Sequence, residues 1–276
     1  MTSPADTTAS AVHPTVLFFD DLLEHLFTDP DRVLVQRGPG YGLATTFAPS
    51  PDLNLVYLDG PGPDGEGVKS VLARVRELQV PFLCAVTPGG VAHGVPGLLE
   101  DEGVPQLMEM PFMTLAFERL RLQDATVPGL EIRHVRTEHD WQAWGSVAAD
   151  AFGFSPVMVD MTEAALRGVA LNSDSRARFY LGILDGEPAG TALAVLGQQE
   201  VGVWCVGTAP AARRRGVGAA MTTAPLLDAR DGGYIRARLG ATPMGYPVYE
   251  RLGWQVEHQS PFYLVQPAGE GTPHGT

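Results

Sequence analysis

Hydrophobic and polar positions alternate along the chain in two rhythms, one of period two and one of helical spacing. DRVLVQRG (31–38) and YGLATTF (41–47) read as two strands joined by a Gly-Pro-Gly turn, and LNLVYLDG (53–60) as a buried strand. VKSVLARVRELQV (68–80) carries Val71, Leu72, Val75 and Leu78 at helical spacing. PFLCAVTP (81–88) predicts a strand, VPGLLEDEG (95–103) a short helix and MTLAFERL (113–120) another strand. The second half opens on LEIRHV (130–135), a strand. A helix follows over 138–152, with Trp141, Trp144, Val147 and Phe152 on or near one face, and a helical segment surrounds 161–171. Three strands joined by tight turns then cover 177–208, the Asp-Gly of DGEP marking the first turn. A helix from RRRGVG (213–218) to about Asp231, a strand at 234–242, a short helix at 246–253 and a last strand at 260–266 complete the series.

The alternation predicts an α/β (α+β) fold. Residues 1–14 and 266–276 are small, polar and rich in Pro and Gly, and are expected to be disordered tails. QDATVPGL, with a proline and a glycine in a polar stretch, places a linker at 123–129 between units at 15–122 and 130–265. The two units repeat one another. Thr87-Pro88 corresponds to Thr242-Pro243, Gly103 to Gly253, and Pro111-Phe112 to Pro261-Phe262, all in the same order.

The 276 residues can bury a sizeable core, and no apolar run approaches the ~20 residues that span a bilayer, so no membrane role is expected. The N-terminus has no basic segment or apolar core of a signal peptide. Cys84 and Cys205 lie in apolar strand-like runs, which reads as two reduced core thiols and a cytoplasmic location. One lysine against 18 arginines, with abundant Ala, Gly and Pro, points to a GC-rich bacterial genome. A net charge of -13 argues against nucleic acid, whose binding needs a basic face. It favours a cationic substrate weakly, and a solubilising surface explains it as well. The histidines show no metal-ligand spacing, so no metal is expected.

Against that acidic background, RRRGVGAA (213–220) concentrates positive charge on the most flexible backbone. It stands between a strand and a helix. A helix N-terminus offers unpartnered N–H groups and a positive dipole end, and glycine lets an anion come close. A phosphate fits there. There is no GK[ST] for a Walker A loop, and no third glycine for a dinucleotide fingerprint. Spacing alone leaves a tight turn with exposed arginines as the alternative.

VGTAPAARRRGVGAA resembles motif A of the GNAT superfamily of N-acyltransferases. Thr208, Pro210, Arg213, Gly216 and Gly218 fall on its pattern. ATPMGYPVYERLGW resembles motif B, with Tyr249, Leu252, Gly253 and Trp254 in place. The first half resembles the degenerate N-terminal partner of tandem GNAT proteins. The resemblance implies two GNAT-like mixed-sheet units in tandem and acetyl-CoA as co-substrate. It places the pyrophosphate on the backbone of Arg214, Arg215, Gly216, Val217, Gly218 and Ala219, with Arg213 beside it. It places pantetheine along Val206, Gly207 and Thr208, where two family strands splay. It also implies an amine acceptor, most simply a small molecule. A non-catalytic acyl-CoA-binding module, another acyl donor, a protein acceptor and an aminoacyl-tRNA-dependent transferase are the other readings, the last opposed by the charge.

An amine attacking a thioester needs a neutral nucleophile, a stabilised oxyanion and a proton for the thiolate. A backbone N–H near Val206 is the expected oxyanion donor. Tyr249 is the expected acid, because a phenol of pKa about 10 lies close to a thiol of about 8.5. A packing role, or a hydrogen bond to the sulfur, is its alternative. Some family members carry a catalytic glutamate where this chain has Gly202, and Glu200, two residues earlier on the same strand face, is the substitute base. A solvated strand-end carboxylate, with water as the base, is the competing reading. Trp204, Phe154 and Trp144 are expected at the acceptor cavity, with core packing as their alternative. Pro225 should kink the helix that follows the glycine turn. In the first half Gly65 and Gly67 hold the glycine-turn position without an arginine, Asp64 and Glu66 would repel phosphate, and Leu99 stands where the second half has Tyr249. Residues 15–122 are therefore expected not to bind CoA.

Overall fold

The computed structural model describes residues 12–60, 66–122 and 127–269. Its 11 strands form one mixed sheet in the order β1-β2-β3-β4-β11-β5-β10-β9-β8-β7-β6. The first half contributes α1 (Pro14–Leu26), β1 (Leu34–Gly38), β2 (Tyr41–Thr45), β3 (Asn54–Leu58), α2 (Glu66–Glu77), β4 (Phe82–Val86), α3 (Pro88–Ala92), α4 (Val95–Asp101) and β5 (Gln106–Ala116). The second contributes β6 (Leu130–His134), α5 (Glu138–Phe152), α6 (Pro156–Leu171), β7 (Ala177–Leu184), β8 (Glu187–Leu196), β9 (Val201–Thr208), α7 (Val217–Asp231), β10 (Arg236–Gly240), α8 (Tyr246–Leu252) and β11 (Gln255–Val265). No helix among the described residues is long and apolar enough to cross a membrane.

The halves exchange strands. β5, from the first half, pairs antiparallel with β10 of the second, and β11, from the second, pairs antiparallel with β4 of the first. β5 and β11 then pair with each other at the centre. In that ladder Pro111 faces Gln259 and Pro261 faces Glu109. Adding 150 to 109 and 111 gives 259 and 261, so the two pairs are one contact seen twice about a pseudo-twofold axis. Phe112 opposite Gly240 and Phe262 opposite Ala85 repeat the relation further out. The left-handed glycines after α4 and α8, Gly103 and Gly253, are equivalent in the same way (φ 68° and 100°).

Strand side chains alternate between two faces. Phe112 and Phe179 pack with α1, α5 and α6, whereas Met113 and Tyr180 pack with α7 and α8. α2 and α4 cover the first half's part of the sheet with a third cluster. α1 was not expected from the sequence, and its first residue, Pro14, lies inside the stretch read as a tail. His13 caps it, accepting a hydrogen bond from the Thr15 amide at 3.2 Å. This helix touches β2 and β8, which stand seven positions apart in the sheet. In a flat sheet they would be roughly 34 Å from each other at ~4.8 Å per strand, so the sheet curls round α1. Consecutive residues reach opposite halves. Phe18 stacks on Trp204 of β9 at 4.2 Å and Phe19 on Tyr57 of β3 at 5.5 Å. Asp20 accepts from Tyr57 Oη at 2.7 Å, and Asp21 from the Gln198 amide at 3.2 Å.

Three further readings change. α3 is an extra short helix started by Thr87, whose hydroxyl accepts from the Gly90 amide. α7 continues to Asp231 with a buried Pro225 inside it, so the proline does not end the helix. Cys84 is a buried core thiol, but Cys205 is exposed. Residues 1–11, 61–65, 123–126 and 270–276 carry most of the expected tails, the linker and the first-half glycine turn, and these readings lie outside the described residues.

Candidate active site

β9 and β10 run parallel but pair only at Val201–Ala237 and Gly202–Arg238. β9 then continues to Thr208 with no strand partner on that side among the described residues, so the two strands part and leave a cleft whose vertex is at Gly202. The equivalent strands of the first half, β3 and β4, stay paired over four residues, from Leu55–Leu83 to Leu58–Val86. On its other side β9 is interrupted by a bulge. The register with β8 slips between Thr191 and Leu193, and Cys205 takes a positive φ of 49°. Thr191 Oγ1 donates to the Cys205 carbonyl at 3.0 Å, which fixes the bulge. Val206, Gly207 and Thr208 follow it along the open stretch. A Cβ on Gly207 would stand 2.7 Å from Thr191 Oγ1 and 3.3 Å from the Phe152 ring, so the end of α5 lies directly over β9 there.

The chain then turns into α7 through Arg213–Gly216. Two residues of the turn are left-handed, Arg214 (φ 62°) and Gly216 (φ 86°), the latter as the helix N-cap. The first helical hydrogen bond recorded is Ala220 N–H to Gly216 O at 3.1 Å, so the amides of Val217, Gly218 and Ala219 precede the helical ladder. No acidic side chain lies in that first turn. Arg213 Nε donates to the Thr208 carbonyl at 3.3 Å, and Arg215 pairs with Asp185 at 2.8 Å, so both guanidinium groups are tied to the turn's surroundings. Arg214 makes no hydrogen bond or ion pair among the described residues. α7 sits unusually close to the sheet because β7 and β8 carry glycines beneath it. A Cβ on Gly182 would stand 2.6 Å from Met221 Sδ, and one on Gly190 would stand 2.8 Å from Val217. Only Thr208 Oγ1, at 3.4 Å, would approach a Cβ on Gly218, so the turn keeps a cradle open. Backbone donors, the helix dipole and nearby arginines fit a diphosphate.

α8 brings Tyr249 to the cleft. Its ring is 7% exposed and lies over Gly245, whose Cβ would stand 2.7 Å away. Its hydroxyl makes no hydrogen bond among the described residues. Burial, and after it the nearby Cys205 thiol, push its pKa up to about 12, so the phenol is protonated at neutral pH. Leu99, its first-half counterpart, is fully buried.

The other expected residues fall elsewhere. Glu200 is buried and ion-paired with the fully buried Arg238, which also pairs with Glu257. Its carboxylate is taken up by that guanidinium, and six residues of strand, roughly 20 Å, separate it from Val206. It therefore lacks the position of a base. Gly202 is sealed as well, since a Cβ there would stand 2.8 Å from Trp204 Nε1 and 3.0 Å from Phe18. Trp204 is packed under α1 rather than lining an open cavity. Trp144 is core. It stacks on Trp141 at 5.4 Å, meets Phe179 edge-on, and donates Nε1–H to the Ala192 carbonyl at 3.4 Å. Trp144 and Phe154 do meet, in a small crevice between α5 and α6. Phe152, from the same aromatic segment, is the residue of that group that lies over β9, 43% exposed beside Gly207. Its helical spacing marked it as apolar, but not as lying over the bulge.

A sheet parted between two parallel strands, with a glycine turn feeding a helix at the opening, is the arrangement of this α/β protein's second half. Residues 116–247 match the family model described as acetyltransferase (GNAT) domain, and the chain therefore carries a GNAT acetyltransferase domain. No curated protein matches the sequence. Solved structures share the fold at low identity. A GCN5-related N-acetyltransferase from Kribbella flavida aligns over 95% of this chain and 98% of its own, at 18% identity and a TM-score of 0.68. A tandem GNAT protein from the clavulanic acid biosynthesis pathway aligns over 92% and 89%, at 16% identity and 0.59. A GCN5-related N-acetyltransferase from Sphaerobacter thermophilus aligns over 84% and 82%, at 17% identity and 0.58. The architecture is accordingly two GNAT-like mixed-sheet units in tandem.

Proposed function

We propose that the chain transfers an acetyl group from acetyl-CoA to the primary amine of a small molecule, using the cleft of its second unit alone. The observation that carries this reading is the pairing of an open β9–β10 cleft with the glycine turn at its mouth, against a closed β3–β4 pair in the first unit. The division at 15–122 and 130–265 belongs to the same reading, with the first unit extending the sheet and supplying α1.

The amides of Val217, Gly218 and Ala219 would receive the diphosphate, with Arg214 free to reach a phosphate group. Pantetheine would lie along Val206–Thr208 in the parted stretch. Acetyl-CoA supplies the activated thioester. The backbone N–H of Val206, beside the bulge, is the donor placed for the developing oxyanion. Tyr249 is the acid for the departing thiolate in this reading, although burial, by raising it to about 12, sets it further from the thiol than a free phenol and makes the transfer more uphill. Since Glu200 is bound to Arg238 and Gly202 is covered, the ammonium of the acceptor loses its proton to water. An acceptor that binds as a cation suits the net charge of -13.

The test is Tyr249→Phe under steady-state turnover with an amine panel. The reading expects kcat to fall about 10²-fold with the KM for acetyl-CoA nearly unchanged, as for a proton donor used only in the transition state. Unchanged kcat would remove Tyr249 from the chemistry. Acetyl-CoA binding with no turnover by the parent protein would leave an acyl-CoA-binding module instead.

A further inference from the structure

A second group of polar side chains lies where α1 meets β11, joined through Arg238 to the closed end of the β9–β10 pair. His13, Glu257 and His258 each direct a potential ligand atom to one spot, all within 4.8 Å of one another. Consecutive strand residues normally point to opposite faces. Here the register of β11 on β5 slips between Val256 and His258, and that irregularity brings Glu257 and His258 to the same side.

Three features of the cluster suit a metal ion. The first is spacing. His258 Nδ1 stands 3.3 Å from Glu257 Oε2, the separation of two ligands on a tetrahedral ion with bonds of about 2.0–2.1 Å. The second is orientation. His258 Nδ1 is buried and faces the Glu257 carboxylate without a well-aligned hydrogen bond, while Nε2 faces the buried Thr15 hydroxyl at 3.4 Å. A metal-bound imidazole is commonly oriented in this way, one nitrogen on the ion and the other on a polar group behind it. The third is charge. Arg238 lies between Glu200 and Glu257, so two carboxylates face one guanidinium and one negative charge is left over. Phe112 stacks flat on the His258 ring at 5.1 Å and holds its plane.

We propose that His13, Glu257 and His258 form a binding site for one divalent transition-metal ion of the zinc class. Two imidazoles and a carboxylate are a donor set that late first-row ions accept, with water completing the tetrahedron. His13 would exchange its bond to the Thr15 amide for the ion, or turn its other nitrogen inward; that amide belongs to a helix N-terminus and water can satisfy it. The bound ion would tie the start of α1 to β11, joining the helix that spans both halves to the strand at their seam. The guanidinium of Arg238, paired with Glu257, opposes a cation there and lowers the affinity. The histidines are 245 positions apart, so no local spacing reveals them.

Titration of the full chain with Co²⁺ tests the site directly, followed by displacement with Zn²⁺ against a chromophoric chelator. The expected result is one ion per chain with the visible absorption of tetrahedral Co²⁺. His13→Ala and His258→Ala should each weaken binding at least tenfold, while His139→Ala leaves it unchanged. Melting curves without metal establish that the variants fold. Zn²⁺ should raise the melting temperature of the parent and not of His258→Ala. No binding at 100 µM metal, or equal binding by the double variant His13→Ala/His258→Ala, would overturn the proposal.

Discussion

Asp21 is buried in α1 with one oxygen on the Gln198 amide and the other, Oδ1, without a partner among the described residues. Burial raises its pKa above the ordinary carboxylate range, with the Gln198 bond opposing the shift. The folded state then binds a proton more readily than the unfolded chain does. Asp21 therefore costs stability at neutral pH, and the cost fades as pH falls through its raised pKa. Asp21→Asn keeps an acceptor for Gln198 and removes the charge. It should raise the melting temperature at pH 7, by an increment that shrinks toward pH 4. A lower melting temperature at pH 7 would show that the charge is compensated in a way the geometry does not reveal. Residue by residue, the sequence revealed what needs a special backbone and concealed what needs a distant partner. The glycine turn was legible because Gly216 must be left-handed and Gly218 must leave room. Glu200 was not, because the guanidinium that binds it is 38 positions away. Cys205 was not, because nothing in VWCVG marks a bulge.

At the scale of elements, helical periodicity announced α2 and α5, whereas α7, buried along nearly its whole length, was announced by the glycine turn that opens it. α1 carried the same periodicity, Val16, Phe19, Leu23 and Leu26 recurring at helical spacing with Asp20, Asp21, Glu24 and His25 between them, and it was passed over because the polar, Pro-containing stretch before it read as a tail. The matched Pro-Phe pairs of β5 and β11 told which strands are equivalent, but not that each pairs with the other half's sheet. That exchange has a consequence. A fragment ending at 122 lacks β11 and so leaves β4 and β5 unpartnered along the seam, and a fragment starting at 127 lacks β5. Exposed strand edges promote association. Each half expressed alone should be insoluble or aggregated, and the two co-expressed should form a soluble one-to-one complex, read by size-exclusion chromatography. Two separately soluble, folded monomers would contradict the exchanged topology.

For the molecule as a whole, duplication has left one open cleft and one closed one in a single sheet curled round a shared helix. In the first unit β3–β4 stays paired and Leu99 stands at the tyrosine position, which supports the proposal that only the second unit takes acetyl-CoA. The central claim is thus a count, one acetyl-CoA per chain, held at the glycine turn of α7. Calorimetric titration of acetyl-CoA into the intact protein, repeated with Gly218→Trp to fill the cradle, measures that count. The account predicts a stoichiometry of one with micromolar affinity, abolished by the substitution while the protein still melts cooperatively. Two sites per chain, or binding that survives Gly218→Trp, would contradict it.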